Sequence, residues 1–171
     1  MKAADPVSLD RLASLAEIVD REAGHLAQTD GRLFAQPFDG ARVAGLTRDI
    51  DLAERVDAFV SRFGRLQDTA GDKLLPELLR QLAEPVRSAV ENLDRAEKLG
   101  LIAAADRWLQ ARRLRNRMVH EYQQDPELLA QSLNEGHAHV PTLLEGARAM
   151  NARAQALIQG AGADVSPYSP R

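Results

Sequence analysis

The chain contains no cysteine, few aromatic residues and few lysines. Without cysteine it forms no disulfide, performs no thiol catalysis and offers no thiolate to zinc. Aromatic residues make up only 4% of the 171 residues, so leucine, alanine and valine must fill the interior. Such an interior suits a helical bundle better than a sheet.

Long apolar runs are also missing. No stretch approaches the roughly 20 apolar residues that cross a bilayer, and the N-terminal MKAADPVSLD lacks the apolar core of a signal peptide. We therefore expect a cytoplasmic protein with no membrane partner. The length fits one domain with its own core. We place it at residues 1–160, followed by a flexible tail at 161–171 that is rich in glycine, serine and proline.

Positive charge comes almost entirely from arginine. Only three of the 22 basic residues are lysine, which leaves 19 arginines. The net charge is −3, so bulk electrostatics will not attract nucleic acid. The planar guanidinium fork suits carboxylates and phosphates. Composition leaves two interpretations open: an arginine-rich genome, or a function that needs phosphate contacts.

Apolar residues repeat with helical spacing along most of the chain, and no strand-like alternation occurs. We predict an all-α, up-and-down bundle of five to six helices. The predicted segments are a helix from Ser8, a loop over 29–46, a helix from Thr47 to near Pro76 followed by a short one, a helix from Pro85 to Gly100, one ending near Tyr122, and one from Pro126 to Gln159.

The helix that ends near Tyr122 carries polar residues where apolar ones are expected. On a wheel of about 100° per residue, its apolar face is centred close to Val119. Arg113 and Arg117 fall on the solvent side. Three polar residues fall inside the apolar sector: Arg112, Arg115 and Asn116. Charged groups there are costly unless they are paired.

The sequence leaves three possible surroundings for these polar side chains. One is a buried carboxylate, such as Glu91 or Glu97 of the preceding helix. The others are a subunit interface and a ligand pocket. Three polar groups within two turns favour a polar cavity or an interface over a single internal ion pair.

The long helix that ends near Pro76 also carries polar residues close to its end. Asp68 and Asp72 fall opposite its apolar stripe, and we expect them to pair in solvent with Arg65 or Lys73. Gln67 lies on the flank of the stripe. It could reach a cleft or be a satisfied amide at the core edge.

The segment RNRMVHEY resembles the R-x4-H-x-Y signature of the HEPN superfamily, specifically the HepT-like ribonuclease toxins. Arg115, His120 and Tyr122 occupy the three signature positions, and Asn116 matches the commonest family form. The resemblance extends over residues 63–122.

This resemblance implies a homodimer that cuts RNA without metal or cofactor, with two motif copies facing each other across a shared cleft. Arg115, Asn116 and His120 would be catalytic. Tyr122 would be the residue that a cognate minimal nucleotidyltransferase antitoxin adenylylates. Weaker RNA contacts are expected from Arg112, Arg113 and Arg117.

Geometry sets a condition on that interpretation. Arg115 and His120 are about 140° apart on one straight helix, so either the helix ends before His120 or a second subunit completes the site. One alternative function is a non-catalytic substrate-binding or partner subunit of the nucleotidyltransferase. Another is a structural bundle whose arginines pair internally. His137 and His139 are two residues apart on different helix faces, so no metal site is predicted.

Overall fold

The computed structural model describes residues 6–121 and 125–163, and every regular element in these ranges is helical. The all-α prediction is confirmed. A π-helical segment, Asp68–Leu74, joins two α-helices into one run, so the described residues form six helical runs. The α-helices are α1 Pro6–Leu33, α2 Gly40–Ala44, α3 Ile50–Gln67, α4 Leu75–Gln81, α5 Ala89–Lys98, α6 Ala105–Glu121 and α7 Pro126–Ala163, with a 3-10 turn at Gly45–Thr47.

The two longest helices, α1 and α7, pack along each other, and α3 and α6 complete the bundle. One stripe of α1 is fully buried at seven-residue spacing: Leu12, Val19, Leu26 and Leu33. Such spacing keeps one face of a helix against its neighbours. Burial of each of these side chains contributes about 1.5–3 kcal/mol. In α7, Pro141 lies inside a continuous helix.

The segment 29–46, predicted to be a loop, is largely helical. α1 continues to Leu33, and α2 follows after a short turn. Asp39 caps α2 by accepting from the backbone N–H of Arg42 at 2.7 Å. Asn134 of α7 holds the turn between them by donating to the Phe38 carbonyl oxygen and accepting from the Phe38 N–H. The prediction was wrong in part because Asn134, which holds this turn, is 96 positions away from Phe38 in the sequence.

The long central helix does not end near Pro76. It passes from α3 through the π segment into α4, and Pro76 occupies the first turn of α4. Proline is tolerated in a first helical turn, where its missing N–H has no intrahelical partner to lose. The change from π to α hydrogen bonding at Leu75 gives Pro76 such a position.

The helix α5 begins later than Pro85. Ser88 caps it in a capping box with Glu91, in which the Ser88 hydroxyl oxygen accepts from the Glu91 N–H and the Glu91 carboxylate accepts from the Ser88 N–H. Gly100, with φ of 70°, ends α5 as predicted. A backbone in this left-handed region favours glycine because a β-carbon is strained there.

Candidate functional site

A groove of about 510 Å³ runs between α3 and α6 and contains the arginine of the predicted motif. We call it the α3–α6 groove. Its lining combines two arginines, two aspartates, a serine and a small apolar strip. The lining residues are Asp57, Val60, Ser61, Gly64, Arg65, Asp68, Arg115, Met118 and Val119.

Arg115 lies across α3 at the wall of this groove. Its Nη1 donates to Oδ1 of Asp68 at 2.7 Å, and the side chain of Arg115 stays 36% exposed. A β-carbon at Gly64 would approach the Arg115 Nε to 2.9 Å and its Cγ and Cδ to 3.3 Å. The absence of a side chain at Gly64 therefore gives the arginine stem its path over α3. Arg115 is paired, but in an open groove and not in a closed core.

Arg112, one turn earlier on α6, pairs with Asp72 of the π segment. The two arginines and two aspartates thus join α6 to the α3–π run. The expected solvent pairing of Asp68 and Asp72 with Arg65 or Lys73 is wrong. The reason is that α6 packs directly on this run and brings a nearer guanidinium to each carboxylate.

The glutamates proposed as internal partners are used elsewhere. Glu91 pairs with Arg87 and completes the capping box of α5. Glu97 accepts from the backbone N–H of Ala105 at 2.7 Å and so tethers the start of α6. An acidic partner was one of the three alternatives left open, and both Arg112 and Arg115 have one, but the acids come from the π segment and not from the preceding helix.

The rest of α6 corrects the predicted orientation of its faces. Asn116 is exposed, and Val119, placed at the centre of the apolar face, is 56% exposed. Leu101 would share a face with Val119 on one straight helix, but it lies in the bend before α6 and does not extend that face. The residues that α6 buries are Ala105, Trp108, Ala111, Leu114 and Met118.

Two other predicted RNA-contacting arginines face outward, as expected. Arg113 is exposed, and Arg117 is exposed and pairs with Glu135 of α7. Carboxylate partners among the described residues are therefore present for three of the four arginines assigned to the site, namely Arg112, Arg115 and Arg117, and Arg113 is the exception. Arg65, which the sequence suggested only as a solvent partner of Asp68 or Asp72, lies in the α3–α6 groove with its Nη2 near the Ser61 hydroxyl at 3.4 Å.

The backbone of α6 continues through His120 to Glu121. The helix therefore does not end before His120, and the position of His120 is about 140° around the axis from Arg115. The His120 side chain lies outside the described part of the structure, and Tyr122 lies outside the described residues altogether. On one straight helix, Arg115 and His120 of the same chain therefore face different directions and do not converge on one substrate atom.

The remaining histidines form separate contacts. His137 bonds through Nδ1 to Oδ1 of Asp30 at 2.7 Å and stacks on the ring of Phe34. His139 lies near Gln110 and the Glu135 carbonyl oxygen. In the ranges 6–121 and 125–163, no group of three or more His, Asp or Glu side chains is arranged to hold a metal ion. None of the helices in these ranges combines the length and apolarity needed to cross a bilayer.

No protein-family model, curated protein or solved structure matches the chain. The α3–α6 groove is therefore interpreted from its own residues. The groove places two arginines and a serine hydroxyl beside two aspartates, and a guanidinium in such an open groove can bind an anionic oxygen in exchange for its carboxylate partner.

Proposed function

We propose that the chain is a metal-independent endoribonuclease of the HEPN type that acts as a homodimer. The observation that carries the proposal is the placement of Arg115, which lies over Gly64 at the wall of an open groove one helical turn or more before His120. The resemblance of RNRMVHEY to the HepT-like signature supplies the roles of the residues.

The proposed reaction uses the nucleophile that RNA itself carries. The 2′-hydroxyl loses its proton to a base as its oxygen attacks the adjacent phosphorus, and the 5′-oxygen leaves with a proton. The products are a 2′,3′-cyclic phosphate and a 5′-hydroxyl. His120 would transfer these protons, since imidazole titrates near neutral pH. Arg115 would neutralise charge on the non-bridging oxygens, with Asn116 orienting substrate or imidazole.

The proposed dimer answers the geometric condition on α6. Because α6 is helical through His120, Arg115 of one copy and His120 of the same copy diverge by about 140°. A two-fold axis beside the end of α6 would bring His120 of one copy toward Arg115 of the other. Val119, 56% exposed and part of the groove lining, offers an apolar contact beside such an axis.

A minimal nucleotidyltransferase is the proposed antitoxin. It would transfer an adenylyl group to the Tyr122 hydroxyl. Tyr122 is two positions after His120, so the added phosphate and nucleoside would occupy the cleft and repel RNA by charge. The arginines Arg112, Arg113 and Arg117 would then guide RNA only in the unmodified protein.

The carboxylate partners favour a second candidate, a non-catalytic partner subunit of the nucleotidyltransferase. Arg112, Arg115 and Arg117 each pair with an acid, which lowers the positive charge available to RNA. In that function Arg115 joins two helices and the groove receives protein, not RNA.

The deciding experiment is cleavage of labelled RNA by the purified protein in EDTA. We expect cutting with 2′,3′-cyclic phosphate ends, abolished by His120→Ala and by Arg115→Ala. Matched controls are His25→Ala and Arg148→Ala, which change an exposed histidine and an exposed arginine remote from the groove. Intact mass establishes that Tyr122 is unmodified before each assay.

Unmodified protein that leaves several RNA substrates whole overturns the ribonuclease proposal and selects the non-catalytic partner. A sedimentation measurement adds an independent criterion. A monomer at assay concentration that nonetheless cuts RNA contradicts the composite cleft, because a single α6 cannot present both residues.

A further inference from the structure

Gln67, the last residue of α3, is buried with an unpartnered amide. It is 3% exposed, and neither its Oε1 nor its Nε2 has a hydrogen-bond partner among the described residues. Burying a polar group without a hydrogen-bond partner is unfavourable for folding. Buried side-chain amides in folded proteins nearly always bond to protein or to an ordered water.

Gln67 lines a small cavity together with both members of the Arg112–Asp72 ion pair. We call it the Gln67 chamber. The cavity volume that the centre of a water molecule can occupy is about 10 Å³. That is close to the roughly 10–15 Å³ that one water needs. Its polar and charged lining residues are Gln67, Asp72 and Arg112, and the others are Gly71, Ala89, Leu93 and Trp108.

Two residues of the π segment, Gly71 and Asp72, line the chamber. A π turn contains more residues than an α turn and often appears at functional positions in helices. Gly71 lies in this segment and has no side chain to fill the gap. A β-carbon at Gly71 would meet only Trp108, at 3.5 Å from Cζ3 and 3.8 Å from Cε3, which is ordinary contact.

We propose that the Gln67 chamber binds one water molecule, which links the Gln67 amide to the Arg112–Asp72 pair. A water accepts hydrogen bonds from N–H groups and donates two, so it can satisfy an amide and reach a carboxylate or guanidinium at once. The water connects the buried end of α3 to the ion pair that fastens α6. The ion pair forms the outer wall and limits exchange with solvent.

The test observes the water directly and needs no RNA-cleaving activity. In labelled wild-type protein, the Gln67 side-chain amide protons should show nuclear Overhauser cross-peaks to a long-lived water. Gly71→Ala places a methyl group in the chamber without a clash and should abolish these cross-peaks. Gly160→Ala makes the same change on α7, where a β-carbon meets no atom within 4 Å, and should leave them unchanged.

A second pair of variants tests the wall. Arg112→Ala removes one side of it and should shorten the residence time of the water, whereas Arg113→Ala, at an exposed position outside the chamber, should not. The absence of a water cross-peak in the wild type overturns the proposal. So does a cross-peak that survives Gly71→Ala, or one that responds equally to Arg112→Ala and Arg113→Ala. A high-resolution crystal structure with no density in the chamber contradicts it independently.

Discussion

Arg115 on α6 donates from Nη1 to Oδ1 of Asp68 at 2.7 Å, and both residues remain more than one third exposed. The contact holds the guanidinium at the wall of the α3–α6 groove. Gly64, one turn before Asp68 on the same helical run, lets the stem of Arg115 cross α3. The position of the motif arginine is thus set by two residues of another helix.

Replacing Gly64 with alanine should displace Arg115 without unfolding the bundle. The new β-carbon would lie 2.9 Å from Nε, so the flexible arginine must move. Alanine raises helix propensity by about 1 kcal/mol, which offsets part of the lost contact. We expect the free energy of unfolding to change by less than about 1 kcal/mol, whereas RNA cleavage falls by about 100-fold because the guanidinium is misplaced.

Urea unfolding and the cleavage assay measure these two effects for Gly64→Ala. Gly160→Ala, in open space on α7, provides the control for a glycine-to-alanine change in a helix. Full activity in Gly64→Ala would show that the position of Arg115 does not matter to cleavage.

Neutralising Asp68 should strengthen RNA binding. The Asp68–Arg115 pair is exposed enough that its loss costs at most about 1 kcal/mol of stability. Asp68→Asn frees the guanidinium of Arg115 for a phosphate. We expect tighter binding and a log–log salt dependence steeper by about one unit, as for one additional phosphate contact.

Asp57→Asn is the matched control for this prediction. It removes the same charge from the same groove, but Asp57 has no ion pair with any residue in the described ranges. Binding that tightens equally in both variants would assign the effect to net charge and not to release of Arg115.

The sequence predicted the fold well because apolar spacing is a local signal. The buried stripe of α1 and the extent of α7 both follow from apolar residues spaced three, four or seven positions apart. The start of α5 was misplaced by only a few residues. Proline and serine are both favoured at helix starts, and only the capping box of Ser88 with Glu91 distinguishes Ser88 from Pro85 as the true start.

The groove could be predicted only in part. R-x4-H-x-Y identified Arg115, but nothing local to α6 indicates that Asp68 would receive it across 47 positions. The π segment was not predictable either, because its apolar pattern continues that of α3. Gly64 carried a signal that was missed: a glycine inside a strong helical pattern usually reflects close packing.

Two helix ends offer a paired test of backbone strain. Ala83 follows α4 with φ of 57°, and Gly100 follows α5 with φ of 70°. In both places the next residue bonds back to the helix, as in the contact of the Glu84 N–H with the Leu79 carbonyl oxygen at 2.8 Å. Only glycine adopts this region without steric cost. Ala83→Gly should therefore stabilise the fold, and Gly100→Ala should destabilise it, each by about 1 kcal/mol.

Urea unfolding of both variants tests the prediction. Changes of the same sign would contradict it, since the two positions share one conformation and differ only in which residue occupies it.

Glu77 of α4 should make stability depend on acid pH. It is 3% exposed and accepts hydrogen bonds from the Ser8 hydroxyl and from Nη1 of Arg80 at 2.9 Å. Burial works to raise the pKa of Glu77. The hydrogen bond from the Ser8 hydroxyl, which itself accepts from Nε2 of Gln81, and the charge of Arg80 outweigh that effect, so the pKa of Glu77 lies below its ordinary value of 4.5.

In the unfolded chain the Glu77 carboxyl is protonated at higher pH than in the folded chain. The ionised Glu77 carboxylate therefore stabilises the folded state fully at pH values above its ordinary pKa of 4.5. This contribution to the free energy of unfolding is lost as the pH falls through the lower pKa of the folded state. Glu77→Gln keeps the shape and should cost about 1.5–3 kcal/mol at neutral pH. Urea unfolding from neutral to acid pH should show that the difference in free energy of unfolding between Glu77→Gln and the wild type shrinks as the pH falls. Glu17→Gln, at an exposed position of α1, is the control and should show no such change with pH. If the stability difference between Glu77→Gln and the wild type stays constant with pH, the ionised carboxylate is not the source of the lost stability.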